Sequence, residues 1–317
     1  MNNLCISNLV YGQPYTHIFL NFHLKSLLAN LNSYALDNSC YLIFTEESNI
    51  SVIESHENFQ LLLDKLKVTF VSLDGNSPTY ELRYQYQAMQ AHQSMIFALE
   101  HQMLLHLITA DVYYGINFFK NSSNFMSKGH DAIAHQPMRI AYESAASHLS
   151  TDKTLSVDDL FLIGFHNPHP LWTSQNWHNP YFSFMPYQLL WSDETSICLR
   201  GFSISISLLI PQEAMLDSLG CADMTIFQYL KNPYFSDDWS ELPMVELQQL
   251  SSFYPSFSNK KSNIQDIAIW AKKNILKENI SNLARHTIYK RINDPINQEL
   301  VSESKRITDA IMATLRF

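Results

Sequence analysis

The sequence predicts an α/β fold, with a mostly parallel sheet flanked by helices, then a mixed, aromatic-rich second half and C-terminal helices. Three observations predict it. Strand-like and helix-like segments alternate through the first half, as βαβ units do. The run Leu104 to Ala110 is largely apolar and lacks strict alternation, the pattern of a strand covered on both faces. From Leu160 to Ser192 the chain holds no Asp, Glu, Lys or Arg in 33 residues, yet carries three tryptophans, four phenylalanines, four prolines and three histidines.

Taken in order, Leu4 to Val10 reads as a first strand, closed by a turn at Gly12 and Pro14. Ile18, Phe22, Leu28 and Leu31 recur at helical spacing behind it. Cys40 to Thr45 is a second strand ending in Glu46 and Glu47, and a helix follows over Asn58 to Leu66. Val68 to Leu73 is a third strand, stopped by Asp74 and Gly75. A long helix from Tyr80 places Leu82, Tyr86, Met89, Ile96, Leu99 and Met103 on one side and leads into the fourth strand. That strand ends in Asp111. Ligands of open α/β sheets sit outside the carboxyl ends of strands, so Asp111 either faces such a ligand or caps the next helix. Ala132 to Ile140 reads as a fifth strand. Gln188 to Trp191 and Ser196 to Ile210 are strand-like, and Ile264 to Leu283 and Ile307 to Leu315 read as closing helices.

Composition narrows the class of function. The chain has 317 residues, 46% of them hydrophobic and 16% charged, enough for one large core or two modest ones. Its seven glycines, at 12, 75, 115, 129, 164, 201 and 220, never cluster. A phosphate-cradling Walker loop or GxGxxG turn is therefore absent, which excludes P-loop ATPases and the usual dinucleotide dehydrogenases. Cys5, Cys40, Cys198 and Cys221 form no CxxC pair and read as buried free thiols. No window offers the roughly 18 apolar residues of a membrane span, and the N-terminus lacks the pattern of a signal peptide. The expectation is a cytoplasmic protein. Net charge is −9, against nucleic acid as a partner. From Lys260 onward, however, 11 Lys and Arg stand against 6 Asp and Glu. That basic part either lies peripherally on the inner membrane face or forms solvated helix faces.

Several segments, in order, carry a family resemblance. YGQPYTHIFLNFHLKSLLANLN followed by YLIFT, then YQYQAMQAHQSMIFALE with Met89 and His92, then LLHLITADVYYGINFF, resemble a group of bacterial GT-A-type glycosyltransferase-like proteins. HNPHPLW, the FxxxPYQLLW pattern, LRGFSIS and SDDWSELPMVELQQLS, similar to a "DSDE" segment, continue the order. The resemblance implies a single GT-A-like, Rossmann-like domain over 1–317, with a nucleotide-sugar half at 1–150, an acceptor-side half at 151–259 and closing basic helices at 260–317. It implies transfer of a sugar from a nucleotide-sugar donor to a glycan, lipid-linked or protein acceptor. The alternative is a catalytically inactive relative that binds glycan or protein. The chain departs from the group at Thr109-Ala110-Asp111, which keeps only the last carboxylate of a DxD pair, and at Ser203 and Ser205, where the group carries histidines.

The resemblance places the donor against Tyr11, Gly12, Thr45, Glu46 and Asp111. Gly12 also reads as an ordinary turn residue. His169, Trp172 and Trp177 of the charge-free stretch offer flat rings to a sugar acceptor, or else form a core layer. An inverting transferase needs a base at the acceptor hydroxyl. Asp217, Asp223, Asp238 and Glu241 are candidates, and Glu241 and Asp238 fall in the segment similar to "DSDE". Mg²⁺ or Mn²⁺ is expected to bind weakly and only with a nucleoside diphosphate, through Asp111 with help from His169. His166, His169 and His178 are the alternative metal set. His92 reads as a core histidine.

Overall fold

The computed structural model describes residues 3–33, 36–73, 80–150, 155–183, 185–218, 225–252 and 260–315. Among them no helix is long and apolar enough to cross a membrane. The chain divides into two compact units, Met1–Ala134 with Leu149–Thr154 and Ile206–Phe235, and His135–His148 with Leu155–Ser205 and Ser236–Phe317. These boundaries differ from the expected divisions at 150 and 259, because the chain returns to its first unit after leaving it.

In the first unit, β1 (Leu4–Val10) runs into a turn at Tyr11 and Gly12. Pro14 then opens α1 (Gln13–Ile18) from a first-turn position that needs no N–H. The helix continues through a π-turn at Phe19–His23 into α2 (Leu24–Ser33). Next come β2 (Cys40–Glu46), α3 (Glu47–Glu54), α4 (Glu57–Leu63), β3 (Lys67–Leu73) and α5 (Tyr80–Glu100). They are followed by β4 (Leu104–Thr109), β5 (Val112–Tyr114), α6 (Phe118–Met126) and β6 (Ala132–His135). Two strands from the later chain, β10 (Ser205–Leu209) and β11 (Pro233–Phe235), complete a seven-stranded sheet of order β11-β6-β10-β4-β1-β2-β3.

The strands β4, β1, β2 and β3 are parallel, with Cys5 opposite both Leu105 and Cys40. The strand β10 runs antiparallel to β4, and β11 parallel to β6. Cys5, Leu9, Leu42, Phe44 and Leu105 pack with Met95 and Ala98 of α5. On the other side Asn8, Tyr41 and His106 meet His23 and Tyr114. Burial on both sides explains why β1 and β2 read as continuous apolar runs.

The second unit holds β7 (Met138–Ala141), α7 (Tyr142–Leu149), α8 (Val157–His166), α9 (Pro170–Thr173), β8 (Gln188–Ser192) and β9 (Ile197–Gly201). It continues with β12 (Met244–Gln248), α10 (Ile264–Asn274), β13 (Thr287–Tyr289) and α11 (Gln298–Leu315). A capping box between Ser156 and Asp159 starts α8. Gly164 of that helix faces β7, where a Cβ would come within 2.9 Å of Met138 Cε and 3.4 Å of Ile140 Cγ2. The strand β12 pairs parallel with β7, and β13-β9-β8 form an antiparallel sheet. Trp191, Cys198 and Phe202 pack with Ile267 and Ala271 of α10 and Ile307 and Ile311 of α11.

Two expected strands divide. The segment from Ala132 to Ile140 breaks at Gln136 and Pro137 into β6 and β7, since proline has no N–H for a ladder. Ser196 to Ile210 breaks at Phe202–Ile204 into β9 and β10, which join different sheets. The short strands β5, β11, β12 and β13 and the helices α3, α7, α8 and α9 were not expected.

Candidate functional site

The strand order β3-β2-β1-β4 reverses direction between β1 and β4, and at such a reversal the chain leaves neighbouring strand ends toward opposite faces. The carboxyl ends there carry most of the expected donor residues. Leu9 pairs with Thr109 and Val10 with Thr45, and the Ala110 N–H donates to Leu9 O at 3.1 Å. Asp111 therefore follows β4 beside the end of β1. Its Oδ1 accepts a hydrogen bond from the Thr109 hydroxyl at 2.5 Å, and the residue is 8% exposed.

Across β1, Glu46 holds the turn. Its Oε2 accepts from the Gly12 N–H and from Asn49 Nδ2, both at 2.9 Å. Gly12 has φ 74° and ψ 147°, a conformation essentially reserved for glycine. Its carbonyl accepts from the Thr16 N–H and hydroxyl, starting α1. Tyr11 is half-buried, its ring 5.7 Å from Tyr15 and 6.2 Å from Tyr86. Thr45 is fully buried, and its hydroxyl has no hydrogen-bond partner among the described residues.

A buried polar layer lies under this edge and went unnoticed in the sequence. His23, on the π-turn, has Nδ1 at 2.7 Å from Val112 O and Nε2 at 2.8 Å from the Tyr41 hydroxyl. The first contact requires Nδ1–H to donate, so Nε2 accepts from Tyr41. His106 repeats the scheme, donating from Nδ1 to Ser207 O and accepting at Nε2 from the Tyr114 hydroxyl at 2.8 Å. Burial disfavours the charged rings, holding His23 down at about 3 and His106 at about 4. The same helix grips the chain just past Asp111 twice more. Ser26 Oγ accepts from the Tyr114 N–H and Asn30 Nδ2 donates to Gly115 O, each at 3.1 Å.

No protein-family model matches the chain, and no curated protein is similar to it. Among solved structures, it is similar to a protein assigned as a glucose-1-phosphate thymidylyltransferase from Bacillus anthracis, in complex with sucrose, at 12% identity and TM-score 0.31, over 45% of this chain and 57% of that one. It is also similar to a mannose-1-phosphate geranyltransferase from Thermus thermophilus, at 14% identity and TM-score 0.28, over 45% of this chain and 44% of that one. The apo form of mouse xyloside xylosyltransferase 1 matches at 15% identity and TM-score 0.26, over 45% of this chain and 53% of that one. The chain thus spans about half the length of each of these structures.

The remaining expected residues belong to the second unit. Asp238 Oδ1 accepts from the Ser240 N–H and caps the 3-10 turn Trp239–Glu241. Glu241 is half-buried with its Oε2 3.1 Å from the Ser236 hydroxyl. Trp172 is 1% exposed and meets Tyr289 edge-on at 5.6 Å, while Trp177 stacks on Trp191 at 6.0 Å. Their rings are packing surfaces, which corrects the expectation that they offer open faces to a sugar. Much of the stretch packs inside this unit, though His166, His178, Tyr181 and Met185 are exposed.

His169 is also buried, and both its ring nitrogens are occupied. Nδ1 accepts from the Leu171 N–H, capping α9, and Nε2 lies 3.2 Å from Gln249 O as donor. That leaves no lone pair for a metal, so the expected ligand role is corrected as well. His166 is exposed at the end of α8, and His178 pairs with Glu303 at 3.2 Å. Among the described residues no group of three His, Cys, Asp or Glu side chains could hold a metal ion. The donor set does not fit a resident metal centre, because the edge at β4 supplies one carboxylate already bonded to Thr109. His92 is exposed rather than in the core. Asp223 and Cys221 lie outside the described residues, as does the Asp217 side chain. Cys5, Cys40 and Cys198 are buried free thiols.

Proposed function

We propose that this protein binds a nucleoside-diphosphate sugar at the carboxyl ends of β1, β2 and β4 and transfers the sugar to a glycan, lipid-linked or protein acceptor. The reading is of a GT-A-type glycosyltransferase. The observation that carries it is the reversal of strand order between β1 and β4, with Tyr11–Gly12 and Asp111 on either side of it. In the transfer, the acceptor oxygen bonds to the anomeric carbon as the bond from that carbon to phosphate oxygen breaks. The diphosphate leaves with the electron pair, and the acceptor proton passes to a carboxylate. Asp111 would be the protein's carboxylate toward a Mg²⁺ or Mn²⁺ brought by the diphosphate, whose charge the cation would offset.

A second reading, an inactive relative that binds glycan or protein, is favoured by one feature. The Gly12 N–H, a natural donor to phosphate, is already taken by Glu46. Thermal unfolding with nucleoside diphosphates and nucleotide-sugars, with and without Mn²⁺, tests the main reading. A ligand at about a hundred times its dissociation constant adds about 2.7 kcal/mol to the native state. One nucleotide class is expected to raise the melting temperature of the wild type, most with Mn²⁺ present, and Asp111→Ala is expected to abolish the Mn²⁺-dependent part. Silence across the whole panel overturns the transfer reading. Binding without nucleotide release in the presence of acceptors overturns transfer and leaves the inactive reading standing.

A further inference from the structure

We propose that Cys5 and Cys40 are a pair of thiols that a peroxide oxidises to a disulfide between β1 and β2. The two are register partners on neighbouring parallel strands. Such partners lie roughly 4.7–4.9 Å apart and project their side chains from the same face. That spacing falls inside the roughly 4.4–6.8 Å between Cα atoms that a disulfide spans. The thiols already meet, since Cys5 is hydrogen-bonded to Cys40. Lys67 is the register partner of Cys40 on β3. Cys5, Cys40 and Lys67 thus form a row across the beginnings of three strands, at the opposite end of the sheet from Tyr11 and Asp111.

The surroundings divide the roles between the two sulfurs. The hydrogen bond from Cys5 holds the Cys40 thiol below its ordinary value against the opposing effect of burial, and the Lys67 charge adds to it. The same bond, together with burial, pushes the Cys5 thiol up. Cys40 is therefore the sulfur that ionises and attacks, and Cys5 the one that resolves. Cys40 is 7% exposed and Cys5 wholly buried, which admits hydrogen peroxide and shuts out a bulky disulfide. In the first step the Cys40 thiolate bonds to one peroxide oxygen and the O–O bond breaks. Hydroxide leaves with the electron pair and is protonated to water, and Cys40 becomes a sulfenic acid. Cys5 then gives up its proton and bonds to the Cys40 sulfur as the S–O bond breaks, releasing a second water. Two thiols are oxidised to one disulfide and one peroxide is reduced to two waters. Cys198 is the internal contrast, wholly buried against the Ser304 hydroxyl at 3.3 Å, with its thiol raised by burial. The inference goes beyond sugar transfer and does not depend on it.

Peptide mapping of the full, native chain decides the matter without any nucleotide. The reduced protein is treated with hydrogen peroxide, its remaining thiols are blocked, and a tryptic digest is read by mass spectrometry. Cleavage after Lys25 separates the two cysteines, so the bond shows as two peptides joined with the loss of two hydrogens. The Cys5–Cys40 link is expected to form before any oxidation of Cys198 and to be reversed by dithiothreitol. Cys5→Ser is expected to stop at the Cys40 sulfenic acid, captured by dimedone, and Cys40→Ser to leave Cys5 reduced. Lys67→Gln is expected to slow closure several-fold, and oxidised glutathione to close the pair more slowly than peroxide. Circular dichroism checks that each variant is folded, and the wild-type map stands without any of them. Absence of the link in the native chain overturns the proposal, as does pairing of either sulfur with Cys198 or Cys221. Equal oxidation of Cys5 with and without Cys40 overturns it too, because Cys5 then needs no partner.

Discussion

His23 and His106 are held neutral in the interior, with proton affinities down at about 3 and about 4 against 6.5 for a free side chain. Between those values the unfolded chain binds more protons than the folded one. Their contribution to stability is therefore complete above about pH 6.5 and is lost as pH falls toward about 3 to 4, with a limiting slope of about 1.4 kcal/mol per pH unit for each ring. Urea midpoints measured through that window should fall with pH, and more shallowly in His106→Gln. A midpoint flat across the window would mean that neither ring is buried neutral. Gly12→Ala tests the neighbouring turn. Its backbone lies where side chains are excluded, and the substitution is expected to lower stability by about 1–3 kcal/mol with little change in urea m value. Gly12 was legible as a turn residue, since an isolated glycine directly after an apolar strand has few other uses. His23 and His106 were not, because a histidine bonded to backbone carbonyls in a core carries no local sequence pattern.

The π-turn is the element that delivers His23. A helix with one extra residue in a turn shifts the register of side chains beyond it, and here His23, Ser26 and Asn30 all bond to the segment Val112–Gly115. That segment begins directly after Asp111, so the helix fixes how the strand end leaves the sheet. His23→Phe keeps a ring to stack on Phe19, 5.5 Å away, and removes the N–H. Hydrogen exchange of Val112–Gly115 is expected to accelerate about tenfold, the equivalent of one lost hydrogen bond, while amides of β1 and β2 hold their rates. An equal acceleration throughout the sheet would show that the ring serves general packing. The helix itself was legible from Ile18, Phe22, Leu28 and Leu31. Its π-turn was not, because Ile18 and Phe22 lie four apart and Leu28 and Leu31 three apart, so each pair keeps helical spacing whether or not a residue is inserted between them. The helix α3 escaped notice for a related reason, since only Asn49 and Ile53 of its eight residues are buried, too few to make a stripe.

At the scale of the molecule, the first four strands were legible because each is a short apolar run closed by a turn, and their positions follow. The destination of later strands was not. Ser196 to Ile210 is buried from end to end apart from a few positions, so periodicity could not tell that β10 leaves β9 to join β4. Aromatic richness misled in the second unit, where a stretch without charges reads equally as a sugar platform or as an interior. The return of β10 makes a prediction about dissection. A fragment ending at residue 150 keeps β1 to β4 but leaves β4 without β10 and His106 without the Ser207 carbonyl. It is expected to unfold without a cooperative transition and to expose apolar surface, read by calorimetry and dye binding. A fragment that melts as sharply as the intact chain would show that β10 and β11 are dispensable additions to a self-sufficient sheet.

The same return has a consequence during synthesis. The strand β4 ends at Thr109 and its partner β10 at Leu209. At about 5–20 residues per second, the ribosome finishes the partner roughly 5–20 s after the strand that needs it. For that interval the nascent chain carries an apolar strand with an open edge, able to pair with the same strand on a neighbouring nascent chain. The yield of this protein in a cell should therefore depend on how quickly translation covers that gap and on what shields the edge until it closes.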